Sequence, residues 1–296
     1  TLKVTDVYRS PTVRELAARI CGDHAQDGLI DLSRESVLDV PIDAKSWCHD
    51  GPPKAVLLTG ATGFVGRFLL AQLLQDTEAH IYCLVRAPSQ HDASARLRAT
   101  LLKWQLWPHA AEQRIAAVPG DLRMPKLGIE DSAYEVLSQS IDSIYHCATS
   151  MNHLESYAMA KATNVDSARE IVKFAATKRL KLINYMSTLD VFTSSVTGRS
   201  REIDETSSID HERHSIASGY AGSKWVAEKI FMNAGELGVP HNIFRLGLAW
   251  ADAEQGRFDE LQREYRVLKS CLIAGYGIEA YNYEMMPTPV DYMARS

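Results

Sequence analysis

Short apolar runs alternate with longer amphipathic segments along the chain from Lys54 onward. Runs of this length, bounded by turn residues, predict strands buried on both faces, and the segments between most of them have helical periodicity. The predicted strands cover residues 55–59, 80–85, 115–118, 143–148, 181–187 and 241–247, and the first helix covers 66–75. This alternation predicts an α/β fold with a doubly wound parallel sheet that carries helices on both faces.

A separate helical pattern precedes this alternation. Residues 8–20 read YRSPTVRELAARI, with Ser10 as an N-cap, Pro11 at the first helical position and apolar residues at helical spacing. A helix of about ten residues is marginal alone in water, so its apolar face must pack on something. Residues 22–53 are predicted to be a linker, in which DLSRESVLDV forms one or two helical turns.

The composition of the chain gives no sign of nucleic-acid binding or of membrane association, and it does not indicate a substrate. The net charge is −5, from 32 basic and 37 acidic residues that are intermixed, which indicates neither a nucleic-acid surface nor an anionic-membrane patch. The five cysteines are odd in number and form no C-x-x-C pair, which favours a reduced cytoplasmic compartment and no metal site. No apolar run approaches the roughly 20 residues of a membrane span. The first residue is not Met, which favours an excised or processed piece.

The turn after the first strand carries the first candidate chemistry. It reads TGATGFVGRF, a G-x-x-G-x-x-G spacing at a strand-to-helix junction, as in Rossmann-type dinucleotide sites. The first glycine permits the tight turn, the second lets a pyrophosphate approach the backbone, and the third lets the helix pack on the sheet. Phosphates then lie at a helix N-terminus, where free N–H groups favour anions. The predicted cofactor-binding residues of this turn are Gly60, Thr62, Gly63, Phe64, Val65 and Gly66.

The residue after the second strand indicates which dinucleotide binds. An acidic residue there would accept from the 2′-hydroxyl of NAD, but the chain has Arg86, which predicts contact with the 2′-phosphate of NADPH; the alternative is a solvated surface arginine. Arg96 is a second candidate cation for that phosphate. After the third strand, Asp121 is placed either to meet the adenine amino group or to cap a helix, and Leu122 follows it as a further candidate contact.

A tyrosine and a lysine four residues apart share one helix face, which suits a Tyr acid with a Lys that holds the cofactor ribose. The chain has three such pairs: Tyr157/Lys161, Tyr220/Lys224 and Tyr265/Lys269. In an open parallel sheet the chemistry lies at the carboxyl ends of the strands, and the fifth strand ends there with Ser187 and Thr188. The next long helix begins near Tyr220. Position therefore selects Tyr220 and Lys224 as the catalytic pair, with Lys224 expected to lower the pKa of Tyr220.

Several motifs together resemble a known family. The stretches VLLTGATGFVGRFLL, LVRA, YHCATSMN, YMSTLDVF, SGYAGSKWVAEK and IFRLG resemble the extended short-chain dehydrogenase/reductase superfamily, and in particular the terminal thioester reductase domains of nonribosomal peptide synthetases and polyketide synthases. The resemblance runs from about Asp31 to Arg295. It implies a catalytic triad and two cofactor-lining residues. The triad is Thr188, Tyr220 and Lys224, and the lining residues are His146 and Ala148; Cys147 and Leu246 depart from the family's usual residues.

The resemblance also implies a reaction and a partner. NADPH would reduce an acyl or peptidyl thioester, presented on the phosphopantetheine of a carrier protein, to an aldehyde or further to an alcohol. Residues 1–21 resemble the last helix of such a carrier; the alternative is a docking helix of the reductase itself. Residues 54–250 resemble the NADP-binding domain, and residues 251–296 the start of a smaller, mainly helical substrate-binding portion that stops early. Two alternatives stay open: a redox-inactive Dieckmann-type release domain, and an extended reductase or epimerase that acts on a nucleotide sugar.

Overall fold

The computed structural model describes residues 12, 30–40, 42, 51–152, 155–192, 203–214, 216, 218–277 and 287–296. The predicted carrier helix within residues 1–21 lies outside the described residues apart from Thr12. Most of the predicted linker lies outside them as well.

The predicted alternation of strands and helices is confirmed. The strands are β1 (Ala55–Thr59), β2 (His80–Val85), β3 (Ile115–Pro119), β4 (Ser143–His146), β5 (Leu182–Thr188), β6 (His241–Leu246), β7 (Leu248–Trp250) and β8 (Pro287–Pro289). The helices are α1 (Leu32–Glu35), α2 (Phe64–Asp76), α3 (Gln90–Lys103), α4 (Asp131–Ser140), α5 (Tyr157–Lys161), α6 (Ser167–Ala176), α7 (Gly219–Glu236), α8 (Arg263–Ala274) and α9 (Val290–Arg295). The first helix of the sheet begins at Phe64, two residues before the predicted start, and β4 ends at His146 rather than at residue 148.

Six of these strands form one parallel sheet in the order β3-β2-β1-β4-β5-β6. The order reverses between β1 and β4, because the chain first builds outward through β2 and β3 and then returns to the other side of β1. Since all six strands are parallel, their carboxyl ends meet at one edge. In such a sheet the crevice at the reversal is where ligands bind.

The sheet is buried on both faces because successive residues of each strand point to opposite sides. In β1, Leu57 belongs to the apolar cluster under α4, α6 and α7, whereas Val56 and Leu58 belong to the cluster under α2 and α3. All five residues of β1 are buried, which is why that strand reads as an unbroken apolar run. The predicted fold class is confirmed.

The last described segment returns to the sheet domain. β7 pairs with β8 in a two-stranded parallel sheet, and α9 packs on α2, with Val290 in one cluster with Phe64 and Phe68. β7 falls inside the predicted cofactor domain and β8 inside the predicted substrate portion, and the division between them stays a prediction. None of the helices in the described part of the chain combines the length and hydrophobicity that a membrane crossing requires.

The described piece of the predicted linker forms one helical turn, as the sequence predicts. Asp31 caps α1 by accepting from the backbone N–H groups of Ser33 and Arg34. The turn lies against the helices that cover the sheet: Tyr157 donates to Glu35 over 3.3 Å, and the side chain of Asn233 in α7 donates to the backbone oxygen of Ser36.

Candidate active site

The turn between β1 and α2 requires glycine at both ends, because a Cβ atom at either end would collide with the backbone. Gly60 has a φ of +78°, and a Cβ atom there would lie 2.7 Å from the backbone nitrogen of Ala148. A Cβ atom on Gly66 would lie 2.1 Å from the backbone oxygen of Gly60. The turn is closed by a hydrogen bond of 2.8 Å from the Gly63 N–H to the Gly60 oxygen. Larger residues at either end would therefore open this turn.

The turn leaves the N-terminus of α2 available for an anion. Gly63 is the N-cap residue and provides no side-chain cap, so no side chain of its own covers the N–H groups of the first turn. The Phe64 ring packs edge-on against Phe68 and tilted against Trp104, which turns it away into the apolar cluster. What this turn offers a ligand is thus backbone N–H groups, at a place where a Cβ atom would be excluded. These features fit the pyrophosphate of a dinucleotide.

Charged residues gather at the carboxyl ends of β2 and β3. Arg86 is exposed directly after β2, and its charge contributes to lowering the pKa of Asp121. Arg96 donates to the backbone oxygen of Arg86 over 2.7 Å, which fixes the chain there. The side chain of Asp121 pairs with Arg123 over 2.6 Å and does not cap a helix. The hydrogen bond from Arg123 is the largest cause of the lowered pKa of Asp121.

The end of β4 joins the glycine turn to the rest of the site. His146 and Thr59 are hydrogen-bonded over 2.8 Å, and the backbone N–H of Ala148 donates to the same threonine oxygen over 3.2 Å. Burial, with a further contribution from the charge of Lys224, lowers the pKa of His146 to about 3. The ring is therefore neutral and hydrogen-bonded at physiological pH. Leu122, predicted as a cofactor contact, packs against the apolar cluster beneath α4 and α6.

The predicted catalytic residues lie together where β5 meets α7. The hydroxyls of Thr188 and Tyr220 lie near each other, close enough for Thr188 to influence the pKa of Tyr220. Lys224 donates to the backbone oxygen of Met186 over 2.6 Å, and its Nζ atom lies 4.2 Å from the centre of the Tyr185 ring. All three predicted catalytic side chains are buried. The structure thus brings the three together at the carboxyl edge of the sheet.

One electrostatic expectation is wrong. The sequence predicts that Lys224 lowers the pKa of Tyr220, but burial raises that pKa, with Asp190 adding to the rise and the nearby Thr188 hydroxyl opposing it. Burial also lowers the pKa of Lys224 to about 7. Desolvation dominates because both groups lie in the interior, so the neutral phenol is favoured and the ammonium is easily deprotonated.

The other two Tyr/Lys pairs lie elsewhere. Tyr157 donates to Glu35 in α1, and Lys161 forms ion pairs with Glu35 at 3.1 Å and Asp166 at 2.8 Å. In α8 the ammonium of Lys269 lies 5.5 Å from the centre of the Tyr265 ring. Neither pair contacts the end of β5.

The sequence interpretation missed a buried carboxylate in this region. Glu228 lies four residues after Lys224 on α7 and accepts from Ser187 over 2.7 Å and from Arg245 over 2.6 Å. The four-residue spacing could have identified it, since the three side chains share one helix face. Tyr185 was also missed: its ring lies beneath Lys224, and its buried hydroxyl has no hydrogen-bond partner among the described residues.

Comparisons with known proteins show which family the chain resembles. Residues 58–296 match the NAD-binding family described as Male sterility protein. The chain is 36% identical to a linear gramicidin synthase protein of Brevibacillus parabrevis over 98% of its own length, and 36% identical to isonitrile lipopeptide synthase of Streptomyces coeruleorubidus over 83%. It spans only 6% and 16% of those two proteins. The crystal structure of the terminal R domain from the myxalamid PKS-NRPS pathway has a TM-score of 0.85 and 36% identity, over 90% of this chain and 68% of that one.

Proposed function

The chain belongs to the NAD-binding family described as Male sterility protein, and from this premise we propose that it is an NADPH-dependent thioester reductase that releases an acyl or peptidyl chain from a carrier protein. The resemblance to terminal reductase domains that the sequence motifs indicate is confirmed by the relatives, which include a solved terminal R domain and two peptide or lipopeptide synthases.

A single observation carries the proposal. The neighbouring hydroxyls of Thr188 and Tyr220 lie at the carboxyl edge of the sheet, with the amino group of Lys224 held on β5 next to them. The glycine turn lies at the same edge, two strands away. Two hydroxyl donors beside a dinucleotide cradle suit reduction of a carbonyl group, because the oxygen gains negative charge in that reaction.

The residues present fit a reduced nicotinamide dinucleotide. The N–H groups at the start of α2 would hold its pyrophosphate, Arg86 would bind the 2′-phosphate that distinguishes NADPH from NADH, and Lys224 would bind the ribose next to the nicotinamide. When bound, the cofactor supplies a hydride to the carbonyl carbon of the thioester.

The protein side chains stabilise the charge on the carbonyl oxygen and supply its proton. The hydroxyls of Thr188 and Tyr220 donate to the carbonyl oxygen as its negative charge builds, and each such donor typically contributes about 3 kcal/mol. The Tyr220 hydroxyl, whose pKa is raised by burial, is protonated near neutrality and gives its proton to that oxygen. Loss of the thiol from the resulting thiohemiacetal leaves an aldehyde and the free phosphopantetheine thiol, and a second reduction of the aldehyde would give an alcohol.

The partner that we propose is a carrier domain in the same polypeptide. The support comes from the sequence of residues 1–21, which resembles the last helix of a carrier, and from the synthases to which the chain is similar. In this arrangement the described linker turn α1, which lies against Tyr157 and Asn233, fixes the path of the chain from carrier to reductase.

The test is an acyl-thioester assay. The purified chain is mixed with NADPH and a panel of acyl-pantetheine thioesters, NADPH oxidation is followed by absorbance, and products are identified by mass spectrometry as aldehyde or alcohol. We expect oxidation with at least one thioester. Tyr220→Phe is expected to reduce the rate by about 100-fold or more, since it removes the proton donor.

The control is Tyr157→Phe, which changes the equivalent tyrosine of a Tyr/Lys pair outside the site and is expected to keep most of the rate. Absence of NADPH oxidation with every thioester would contradict the proposal. NADPH-independent release of a cyclised product would instead identify the Dieckmann-type alternative, and turnover of a nucleotide sugar alone would identify the epimerase alternative.

A further inference from the structure

Three consecutive residues at the end of β5 bind one face of α7. Residues four apart on a helix lie above one another, so positions 220, 224 and 228 form a single row. We call this set of contacts the β5–α7 seam. Its contacts join Thr188 to Tyr220, the backbone oxygen of Met186 to Lys224, and Ser187 to Glu228. The proposed reaction uses the first two contacts and leaves the third without a role.

The third contact is a buried and fully hydrogen-bonded carboxylate. Glu228 has no exposed surface; its Oε2 accepts from Ser187, and its Oε1 accepts from Nε and Nη2 of Arg245 over 2.9 and 2.6 Å. Arg245 lies directly across from Ser187 in the register of β5 and β6. The carboxylate therefore ties α7 to two neighbouring strands. Breaking a buried pair of this kind on one side leaves an uncompensated charge, which makes the contact hard to rearrange.

Glu228 also acts on Lys224 through its charge. Burial lowers the pKa of the Lys224 ammonium to about 7; the thiolate form of Cys147 and the carboxylate of Glu228 oppose this shift, and burial raises the pKa of Cys147 to about 11, which keeps its thiol neutral near pH 7. Among the described residues, the titratable or charged groups that face Lys224 come from β5, the end of β4, its own helix and, through Glu228, from β6. They are Tyr185, His146, Cys147 and Glu228, and Arg245 of β6 is paired with Glu228. Glu228 is the carboxylate of this set.

We propose that Glu228 is a positioning residue: clamped by Ser187 and Arg245, it holds α7 in register on β5 and supplies the negative charge that keeps the neighbouring lysine protonated. It touches neither the thioester nor the cofactor and acts through Lys224. This inference rests on the function proposed above, since it assigns a role in that reaction to a residue outside the catalytic trio.

The first test is the pH profile of Glu228→Gln, which keeps the shape of the side chain and removes its charge. As the pH rises through about 7, the rate of NADPH oxidation is expected to fall because Lys224 loses its proton. Because the variant lacks the charge that favours the ammonium, we expect this fall to move to lower pH by about one unit. At neutral pH we expect kcat to drop about tenfold with little change in the KM for the thioester, since substrate binding does not involve this residue.

The matched control is Asp142→Asn, at the opposite edge of the sheet. Asp142 is also buried, pairs with Arg179 and accepts from the backbone N–H groups of Lys54 and Ala55. Both variants remove the charge of a buried ion pair, so both are expected to lower the unfolding temperature, but only Glu228→Gln should shift the pH profile. Ser187→Ala leaves the ion pair between Glu228 and Arg245 intact and is expected to show a smaller drop in kcat. This variant replaces Glu228→Gln in the assay if Glu228→Gln does not fold.

A second readout does not need turnover. NADPH affinity is measured by fluorescence titration across the same pH range, and the weakening at high pH is expected to begin at lower pH in Glu228→Gln than in the unchanged protein. If the unchanged protein oxidises no NADPH with any thioester, the proposed function fails while this titration still tests Glu228. The inference would be overturned if the pH dependences of Glu228→Gln match those of Asp142→Asn and the unchanged protein.

Discussion

The glycine turn and the β5–α7 seam lie at the same edge of the sheet but are held by different forces. In the turn, the constraint is steric and lies in the backbone: a Cβ atom on Gly60 or Gly66 has no room. In the seam, the constraint lies in side chains that carry charge in the interior, such as Lys224 and Glu228. The conformation of the turn thus depends on glycines that have no Cβ atom, whereas the seam depends on buried polar groups that must be paired.

This difference sets what each region can tolerate. Backbone N–H groups need no particular side chain, so the turn can present them to an anion wherever the glycines permit close approach. A buried charged group changes its protonation when its surroundings change, as the lowered pKa of Lys224 and of His146 illustrates. We therefore expect the turn to respond to added volume and the seam to respond to charge and pH.

The largest expected effect is that of Gly66→Ala. The new methyl group would lie 2.1 Å from the Gly60 oxygen, so the turn must open and its N–H groups lose their alignment. Loss of two hydrogen bonds to a charged phosphate, at about 1.5–3 kcal/mol each, would weaken NADPH binding by about 100-fold or more. A fluorescence titration with NADPH measures this loss, and thermal unfolding reports how far the fold itself is strained.

Gly222→Ala is the matched control in the other region. This glycine lies in α7, between the proposed catalytic residues Tyr220 and Lys224, but a Cβ atom there would meet the Tyr157 ring at 3.5 Å and Ile216 at 3.6 Å, which is ordinary contact. Alanine also favours the helix, so we expect the free energy of unfolding to rise by about 0.5–1 kcal/mol. An equal loss of NADPH affinity in Gly66→Ala and Gly222→Ala would contradict the difference that we propose between the turn and the seam.

The contrast also explains what could be predicted from the sequence. Glycine spacing and unbroken apolar runs are local signals, so they predict the strands of the sheet, the turn from Gly60 to Gly66 and the parallel fold. The predicted ends of five elements differ from the structure, by one residue in β3, β5 and β6 and by up to two residues in α2 and β4. A first helical turn at Phe64 and a strand end at His146 depend on tertiary contacts.

The seam could be predicted only in part, for a physical reason. A Tyr/Lys spacing places two side chains on one helix face, and position along the chain separates Tyr220 from the other candidates. The desolvation that raises the pKa of Tyr220, and the pairing of Glu228 with Arg245, depend on residues far apart in the sequence and on their burial. Neither is visible in a local pattern.

A smaller effect is expected from Arg86→Ala. This variant tests whether NADPH binding depends on a side chain as well as on the backbone N–H groups of the glycine turn. Arg86 is exposed at the end of β2, near Asp121. If it binds the 2′-phosphate, its loss should weaken NADPH binding by about tenfold and leave NADH binding unchanged, because NADH has no such phosphate. Paired titrations with the two cofactors measure the ratio.

Arg98→Ala serves as the control for charge, since Arg98 lies on α3 and pairs with Glu112 at 2.8 Å. It is expected to change neither affinity. A parallel loss of NADPH and NADH affinity in Arg86→Ala would show that the arginine supports the fold of the turn rather than the choice of cofactor.

The last comparison concerns His146, which links the two regions through its hydrogen bond to Thr59 and its stacking on Tyr185 at 5.7 Å. Burial lowers its pKa from 6.5 to about 3, so between these values the unfolded chain binds a proton that the folded chain does not. The free energy of unfolding should therefore fall as the pH falls through this window, by up to about 1.4 kcal/mol per pH unit from this residue. His146→Gln should flatten that slope in denaturant unfolding measured from neutral to acidic pH, whereas His91→Gln, whose side chain is 90% exposed, should leave it unchanged. An equal slope in the unchanged protein and in His146→Gln would mean that the ring is not held neutral in the interior, and that the turn and the seam respond to acid independently.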